Sequence, residues 1–397
     1  MKNVFSQCDR RLPVRPDYLA FGKPNFSAGE IEALARVMRS GWIGQGEETL
    51  AFERELAAAV GAAQLVTVNS CTSALFLVLR ALGVGRGDEV IVPSLTWCST
   101  ANAALYLEAG VVFCDVDRNT LCATAESVAR CVTPRTKVVV PVHMGGLAAD
   151  VSAMRASIPA TVAIVEDAAH ALGATYADGK LVGNSANPVC FSFYANKNLS
   201  TGEGGAIATG KSELADTLRS LRLHALPADA WRRFTNPNVT FSGGIEQLGY
   251  KMNFTDLNAC IGRVQLQRFA ELQERRRLIA EAYSRRLIRA EIGSLQAGLV
   301  EAGHARHLCV LVLAPEALAR AGLTRDGLLG HLRGVNIGAS VHYYPLHTMP
   351  LYRQSQTGSL PVTESLAPLL LTLPISSSMM VADADYVCDH LLAALGV

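Results

Sequence analysis

The stretch FSFYANKNLSTGEGG, residues 191–205, carries one lysine, Lys197, between two short apolar runs. Phe191-Ser192-Phe193 reads as the end of one strand and Ala206–Thr209 as the next, so Lys197 is expected on a loop between two core strands. An amine held there in a partly dry pocket loses basicity, and an uncharged amine is what forms a Schiff base with a carbonyl. A surface lysine on a polar turn would have the same local sequence. The choice rests on what else the chain brings near it.

Working outward, apolar runs and helical patterns alternate on both sides. Ser27 and Glu30 have the spacing of a capping box before a helix through Ser40, which Gly41 ends. Trp42 to Gly46 forms a glycine-bounded turn, and Phe52–Val60 a second helix closed by Gly61. Strand candidates QLVTVNS (64–70), EVIVPSL (89–95), VVFCDVD (111–117) and KVVVPVHM (137–144) then alternate with helices at 73–83, 100–110 and 125–132. AIVED (163–167), CFSFY (190–194) and GAIAT (205–209) continue the series. Such an order predicts an α/β fold whose mostly parallel sheet is covered on both faces. Between Gly262 and Ile288, Val264, Leu266, Phe269, Leu272, Ile279, Ala282, Tyr283 and Leu287 recur at helical spacing, which predicts one long amphipathic helix. Arg275-Arg276-Arg277 within it could be an anion patch, but with Glu271 and Glu274 a turn away it reads rather as a solvated face. Strands at LCVLVLA (308–314) and GASVHYY (338–344), a helix at 324–333 and another after Ala382 make a smaller α+β domain. The expected organisation is a loosely ordered lead-in over 1–20, a large domain over 21–261, and the connecting helix with the small C-terminal domain over 262–397.

Composition narrows the function. A chain of 397 residues exceeds the usual size of a single core. With 36 basic and 35 acidic residues, nothing suggests nucleic acid or an anionic membrane as partner. The 10 cysteines include no C-x-x-C pair, so neither a zinc knuckle nor a thioredoxin-like motif is supported and no metal site is expected. Cysteines inside apolar runs, such as Cys114 and Cys309, suit a reducing compartment. The N-terminus has no apolar signal core and no run is long enough to span a bilayer, which predicts a cytoplasmic protein.

In an open parallel sheet, ligands sit beyond the carboxyl ends of the strands. After QLVTVNS come Ser70, Cys71, Thr72 and Ser73 at a helix start, where N–H groups and hydroxyls suit a phosphate or simply cap the helix. After EVIVPSL stands Trp97, able to stack on a flat ring or to join the core. After AIVED, Asp167 can pair with a protonated ring nitrogen or cap the helix beginning near His170. A lysine for a carbonyl, a carboxylate for a pyridinium, an aromatic for its ring and a helix end for a phosphate together describe a pocket for pyridoxal phosphate.

The chain resembles the DegT/DnrJ/EryC1/StrS family of sugar aminotransferases from about Phe21 to its end. The resemblance is carried by SGW (40–42), LGVGRGDEVIVPSLTW (82–97), TPRTKVVVPVHMGG (133–146), EDAAHALGA (166–174), KNLSTGEGG (197–205) and GYKMNFTDLNACIG (249–262). It implies the fold of aspartate aminotransferase, fold type I, with pyridoxal 5'-phosphate held on Lys197. It also implies Asp167 under the pyridine nitrogen, Trp97 on the ring, His170 beside the phenolic oxygen, and Thr72, Ser73 and Ser192 on the phosphate. His342 and His347 match a segment lining the substrate side, where Trp42 also belongs. The family's partner subunit reaches in from a G-Y-N element. This chain reads Gly249-Tyr250-Lys251 there, so a homodimer with shared active sites and a lysine in place of asparagine is implied. The implied reaction takes an amino group from an amino acid, usually glutamate, and gives it to a nucleotide-linked keto-sugar. SLTW, TPRTK, the histidine of DAAH and GYKMN are most similar to enzymes that aminate C4 of a UDP-linked 4-keto pyranose. Another keto-sugar or an aminocyclitol is the alternative substrate, and a non-catalytic pyridoxal-phosphate regulator the alternative of another class. A sugar dehydratase of this fold lacks the lysine, and Gly202-Glu203-Gly204-Gly205 is no dinucleotide fingerprint because Ile207 holds its last glycine position.

Overall fold

Strand β2 (Glu89–Pro93) shows how the large domain is built: Val90 and Val92 pack into one layer, Ile91 into the opposite one. β3 (Gly110–Cys114) and β4 (Thr136–Val139) repeat the alternation, with Val111, Phe113 and Val138 beside Val90, and Val112, Cys114 and Val139 beside Ile91. Strands apolar on both sides need both faces covered. The computed structural model describes residues 12–226, 245–357 and 359–397. Cys8, residues 1–11 of the lead-in and most of the polar loop ahead of Gly249 lie outside these.

Two hydrogen-bonded sets of strands make one continuous surface. One runs β1 (Gln64–Val68), β8 (Gly205–Thr209), β7 (Val189–Ser192) and β6 (Glu166–Asp167); the other joins β5 (Ala163–Ile164), β4, β2 and β3. β5 and β6 are halves of a single strand interrupted at Val165. Backbone bonds from Val165 N–H to Val139 O and from Asp167 N–H to Pro141 O, 3.0 and 2.9 Å, stitch the sets together. Among the described strands of this sheet only β8 is antiparallel to its neighbours. The mostly parallel α/β sheet expected from the alternation is present.

Helices α1 (Ala28–Ser40) and α2 (Glu47–Val60) precede the sheet. α3 (Cys71–Ala81), α4 (Cys98–Leu105) and α7 (Ser212–Leu221) share the cluster on the Val90 face, while α5 (Ala125–Cys131) and α6 (Val151–Ser157) cover the Ile91 face. The helix expected from Gly262 to Ile288 is instead two helices. α8 (Asp256–Gln267), capped by Thr255, packs on α1 and α2, and α9 (Phe269–Leu287) continues into the small domain. The break falls at Arg268, whose guanidinium is drawn to Glu30 at 2.9 Å and to Asn25 Oδ1 at 2.7 Å. Tertiary partners on and just before α1 thus override a periodicity that runs straight through.

The small domain is an antiparallel sheet, β9 (Gly293–Leu295), β10 (Cys309–Leu313) and β12 (Leu370–Leu373), ordered β12-β10-β9. α9 and α13 (Val381–Ala394) pack together beside it, with α10 (Pro315–Ala321), α11 (Arg325–Gly334) and α12 (Pro361–Leu366) completing the layer. Between β10 and β12, a short β11 (Gln356–Thr357) returns to pair with β3 of the large sheet. The segment GASVHYY is not the strand its sequence suggests. Only Ser340 bridges to Thr372, while just before it Leu19 bonds Asn336 O and Gly338 N–H through its own N–H and C=O. Residues beyond Ser340 therefore leave the sheet toward the domain seam. The described part of the lead-in is also tied down: Arg15 pairs with Asp383 at 2.9 Å and Leu19 bridges Ile337.

Candidate active site

The loops following β1, β2, β4, β6 and β7 open at one edge of the sheet, around a cavity of about 500 Å³. Its wall includes Ser70, Thr72, Trp97, Asp167, His170, Ser192, Lys197, Gly204, His342 and Tyr343. Lys197 is partly exposed along its stem, but its amine end lies among buried groups, and those set its acidity. Burial lowers its pKa from the ordinary 10.5 to about 8; Cys71 and Asp167 oppose the shift and the Arg276 charge adds to it. Nζ lies 3.3 Å from His307 Nε2.

Asp167 ends β6 at the cavity floor and is 5 % exposed. Its Oδ2 accepts the Thr100 hydroxyl at 2.8 Å and its Oδ1 the Ala169 N–H at 3.1 Å. Burial nevertheless raises its pKa, outweighing these two bonds and the Lys197 and His143 charges, which pull it down. One residue earlier, Glu166 is fully buried on the other side of the strand. It accepts from His143 Nε2 at 2.9 Å, from Tyr176 Oη at 2.6 Å and from Asn187 Nδ2 at 3.0 Å. Burial pushes Glu166 up, but these bonds outweigh it and hold the carboxyl below its usual range. Adjacent residues thus become a structural anchor and a carboxylate that faces the cavity, hydrogen-bonded to Thr100 and Ala169 N–H.

At the start of α3, Ser70 accepts the Ser73 N–H at 3.1 Å, and the Ser73 hydroxyl donates to Asn69 Oδ1 at 2.6 Å. Ser73 therefore serves the cap and lies outside the cavity lining, while Thr72 lines it and donates to Ser99 Oγ at 2.8 Å. A Cβ on Gly205 would stand 2.6 Å from Cys71 N, so glycine is needed where β8 crosses this helix end. Trp97 leaves its indole 59 % exposed at the cavity, its ring 5.9 Å from that of Tyr343. His170 takes a long bond, 3.4 Å, from Gly145 N–H on Nδ1, which leaves its proton on Nε2 to be given to Tyr343 Oη at 3.0 Å. Burial, aided by the nearby lysine, keeps His170 neutral and takes His342 to about 3.

Three expected residues lie elsewhere. His347 bonds Ser94 Oγ through Nδ1 at 2.6 Å, outside the cavity lining, and fastens the small-domain return segment to the loop after β2. Trp42 and Lys251 share a separate cleft of about 320 Å³ with Gly41, Leu223 and Asn253, which has no residue in common with the Lys197 cavity. Thr100, Tyr343 and His307 were missed by sequence reasoning. Thr100 lies on the first turn of α4, where the strand-end rule that found Trp97 also reaches. Tyr343 was hidden in a segment read as a strand, and nothing local marks His307, which precedes an apolar strand of the other domain.

The model of the DegT/DnrJ/EryC1/StrS aminotransferase family matches residues 24–392. The chain belongs to that family. It is 40 % identical over 382 residues, 94 % of this chain and 96 % of the relative, to the spore coat polysaccharide biosynthesis protein SpsC of Bacillus subtilis. The PMP form of the putative sugar aminotransferase Spr1654 from Streptococcus pneumoniae superposes with a TM-score of 0.86 at 29 % identity, covering 95 % of this chain and 98 % of that one; a PLP form is also known. DesI, solved in the presence of its TDP-sugar product, gives 0.86 at 28 % identity over 96 % of this chain and 94 % of its own. The protein is an aminotransferase that uses pyridoxal phosphate. The cavity suits that cofactor: a buried carboxylate faces it, an aromatic ring is left open, a helix start offers donors, and an amine is kept dry.

The lysine makes one physical prediction free of substrate. Its folded pKa of about 8 lies below the ordinary 10.5, so between these values the unfolded chain holds more protons and stability rises with pH. The cost is complete below pH 8 and gone above pH 10.5. Lys197→Met should therefore stabilise the cofactor-free protein in denaturant titrations at pH 7, with the advantage shrinking at pH 10. An advantage that does not change with pH would show the amine to be ordinarily solvated.

Proposed function

We propose that this aminotransferase moves an amino group from L-glutamate to the carbonyl carbon of a nucleotide-linked keto-sugar, a UDP-linked 4-keto pyranose being the first candidate. The observation that carries the reading is the meeting of Lys197, Asp167 and an open Trp97 around one cavity in a chain of this family. The kinship with a polysaccharide biosynthesis protein and with an enzyme bound to a TDP-sugar supports the substrate class.

Pyridoxal phosphate, when bound, supplies a sink for the electron pair left as a proton leaves the substrate carbon. The chain's own residues do the rest. Asp167, whose carboxylate faces the cavity, would hold a proton on the ring nitrogen. Thr72, Ser192 and the N-terminal turn of α3 bind the phosphate. Trp97 would stack on the cofactor ring, and His170 with Tyr343 could offer it hydrogen bonds. With the cofactor in place, the free Lys197 amine would be the base that takes the proton from the donor's α-carbon; its pKa, lowered to about 8, suits an amine that must take up and give back a proton. His342 borders the sugar.

Among the described residues lining the cavity, Lys197 is the one lysine or arginine. The phosphate, the donor's carboxylates and a nucleotide diphosphate bring far more negative charge than that amine can meet. We infer that a second copy completes each site, with Lys251 and Trp42 serving the partner's cavity. Their place in a cleft apart from their own chain's cavity supports this.

Two experiments test these readings. Enzyme charged with glutamate, offered UDP- and TDP-linked 3- and 4-keto-sugars, should convert a 4-keto substrate to the amino-sugar with one equivalent of 2-oxoglutarate. Turnover of a keto-cyclitol alone, with every nucleotide sugar inert, would overturn the substrate class. For assembly, Lys197→Ala and Lys251→Ala chains, each inactive alone, should regain about a quarter of full activity when subunits exchange at random, since half the dimers then hold one intact site of two. Exchange without recovery would remove Lys251 from the partner's site.

A further inference from the structure

His307 does not line the cavity, yet its Nε2 lies 3.3 Å from the Lys197 amine, so it meets that amine from outside the lining. It arrives on a strap, residues 304–307, that belongs to the small domain and is laid across the glycine pair after β4. Gly145 O accepts both the His307 and Leu308 N–H groups at 3.0 Å, and Gly146 O accepts Ala305 N–H at 2.8 Å. Gly146 has φ +112, and a Cβ there would stand 2.9 Å from Arg306 N, so only glycine lets the strap lie this close. Asn198, the residue after the lysine, grips Ala305 O at 2.6 Å through Nδ2, and Arg276 of α9 reaches Arg306 O at 3.3 Å and Ile375 O at 3.1 Å. Strap and lysine loop are thus fixed to each other.

Among the described residues His307 Nδ1 has no hydrogen-bond partner, so its polar contact is the one Nε2 makes with Lys197. The groups facing it are His170, its ring centroid 4.6 Å away, with Lys197, His342 and the Arg276 guanidinium. Arg276 is 2 % exposed and bonds only carbonyl oxygens among the described residues. Among the described residues no carboxylate is bonded to the ring, and the charged groups that act on it, Lys197, His170, Arg276 and His342, are cations or potential ones. The imidazole is therefore neutral, as burial and these charges both require.

We propose that His307 is the positioning residue of the reaction: its neutral Nε2 accepts an N–H of the free Lys197 amine and so aims the remaining valences of nitrogen into the cavity. The proposal rests on the reading of Lys197 as the proton-moving base. A lysine stem has four rotatable bonds and, without a fixed acceptor, its amine is spread over many positions. One hydrogen bond from behind leaves the lone pair, or after proton capture the other N–H bonds, pointing forward. Nothing covalent happens at His307, and it takes no proton itself.

The test compares His307→Leu, which removes the acceptor, His307→Asn, whose amide is too short to reach, and His307→Gln, whose amide oxygen falls near the position of Nε2. In the cofactor-free full chain, the pH dependence of reductive methylation at Lys197 is followed by peptide mass spectrometry. Loss of the acceptor disfavours the ammonium form, so Leu and Asn should move the midpoint down by ~1 pH unit. Lys197 should then be methylated faster at pH 7 than in the native protein. In the loaded enzyme the same variants should transfer amino groups roughly 10- to 100-fold more slowly, with KM for the sugar within about threefold. Gln should restore both readouts. Faster labelling with slower transfer is a combination that simple loosening of the strap does not give. Unchanged midpoints in Leu and Asn, or Gln no better than Asn, would overturn the proposal; if Leu does not fold, Asn against Gln decides. If instead Lys197→Ala keeps full activity, it is the role of the lysine that fails, while the labelling midpoints still judge the contact with His307.

Discussion

An amine can shuttle protons at neutral pH only if it is kept from water and from any carboxylate that would hold its proton. Much of this structure follows from meeting that requirement for Lys197. The sheet delivers the lysine loop after β7 to an edge already walled by the loops after β4 and β6. The carboxylate nearest in function, Asp167, is engaged by Thr100 and by Ala169 N–H rather than by the lysine. Behind the amine lie His307 and a buried guanidinium, so the local field works against a second positive charge. Desolvating a lysine costs stability, and the apolar layers on both faces of the sheet offset that cost.

The large domain alone does not make this environment. His307, His342 and Tyr343 all come from beyond Arg268, where α8 gives way to α9. The C-terminal part of the chain is fastened to the main sheet and its loops at several points. Leu346 N–H bonds Ser94 O at 2.9 Å, Tyr352 stacks edge-on against Phe113 and donates to Asn102 Oδ1 at 2.7 Å, and Asp115 accepts the backbone N–H groups of Val362 and Thr363. β11 adds a further pair of backbone residues to β3. The seam is therefore part of the chemistry, because it decides how dry the amine is and which way it faces.

The features legible in the sequence are those that depend on local pattern. Valine-rich runs of β2, β3 and β4 announced a doubly covered parallel sheet, and the strand-end rule then picked out Thr72, Trp97 and Asp167 along with Lys197. The misreadings arose where distant partners act. The helix break at Arg268 coincides with its bonds to Glu30 and Asn25, and only Ser340 of GASVHYY finds a strand partner, Thr372; no window of neighbouring residues contains these pairs. Ser73 looked like a phosphate ligand because its hydroxyl is at a helix start, yet Asn69 and Ser70 claim it for the cap. His307 was invisible for the same reason in stronger form: its importance comes from a strap laid over Gly145 and Gly146, which the motif MGG hints at only through its glycines.

The most direct measurement follows the α-proton of glutamate. The loaded enzyme is incubated with glutamate in D2O without any sugar, and deuterium at the α-carbon is read by NMR. The native protein should wash the proton out, because Lys197 can remove it and return a solvent deuteron. Lys197→Ala, with its cofactor content verified, should exchange more slowly by about 10²-fold or more, and adding a small primary amine should recover part of the rate. Exchange near the native rate in Lys197→Ala would contradict the account, since another group would then be moving the proton.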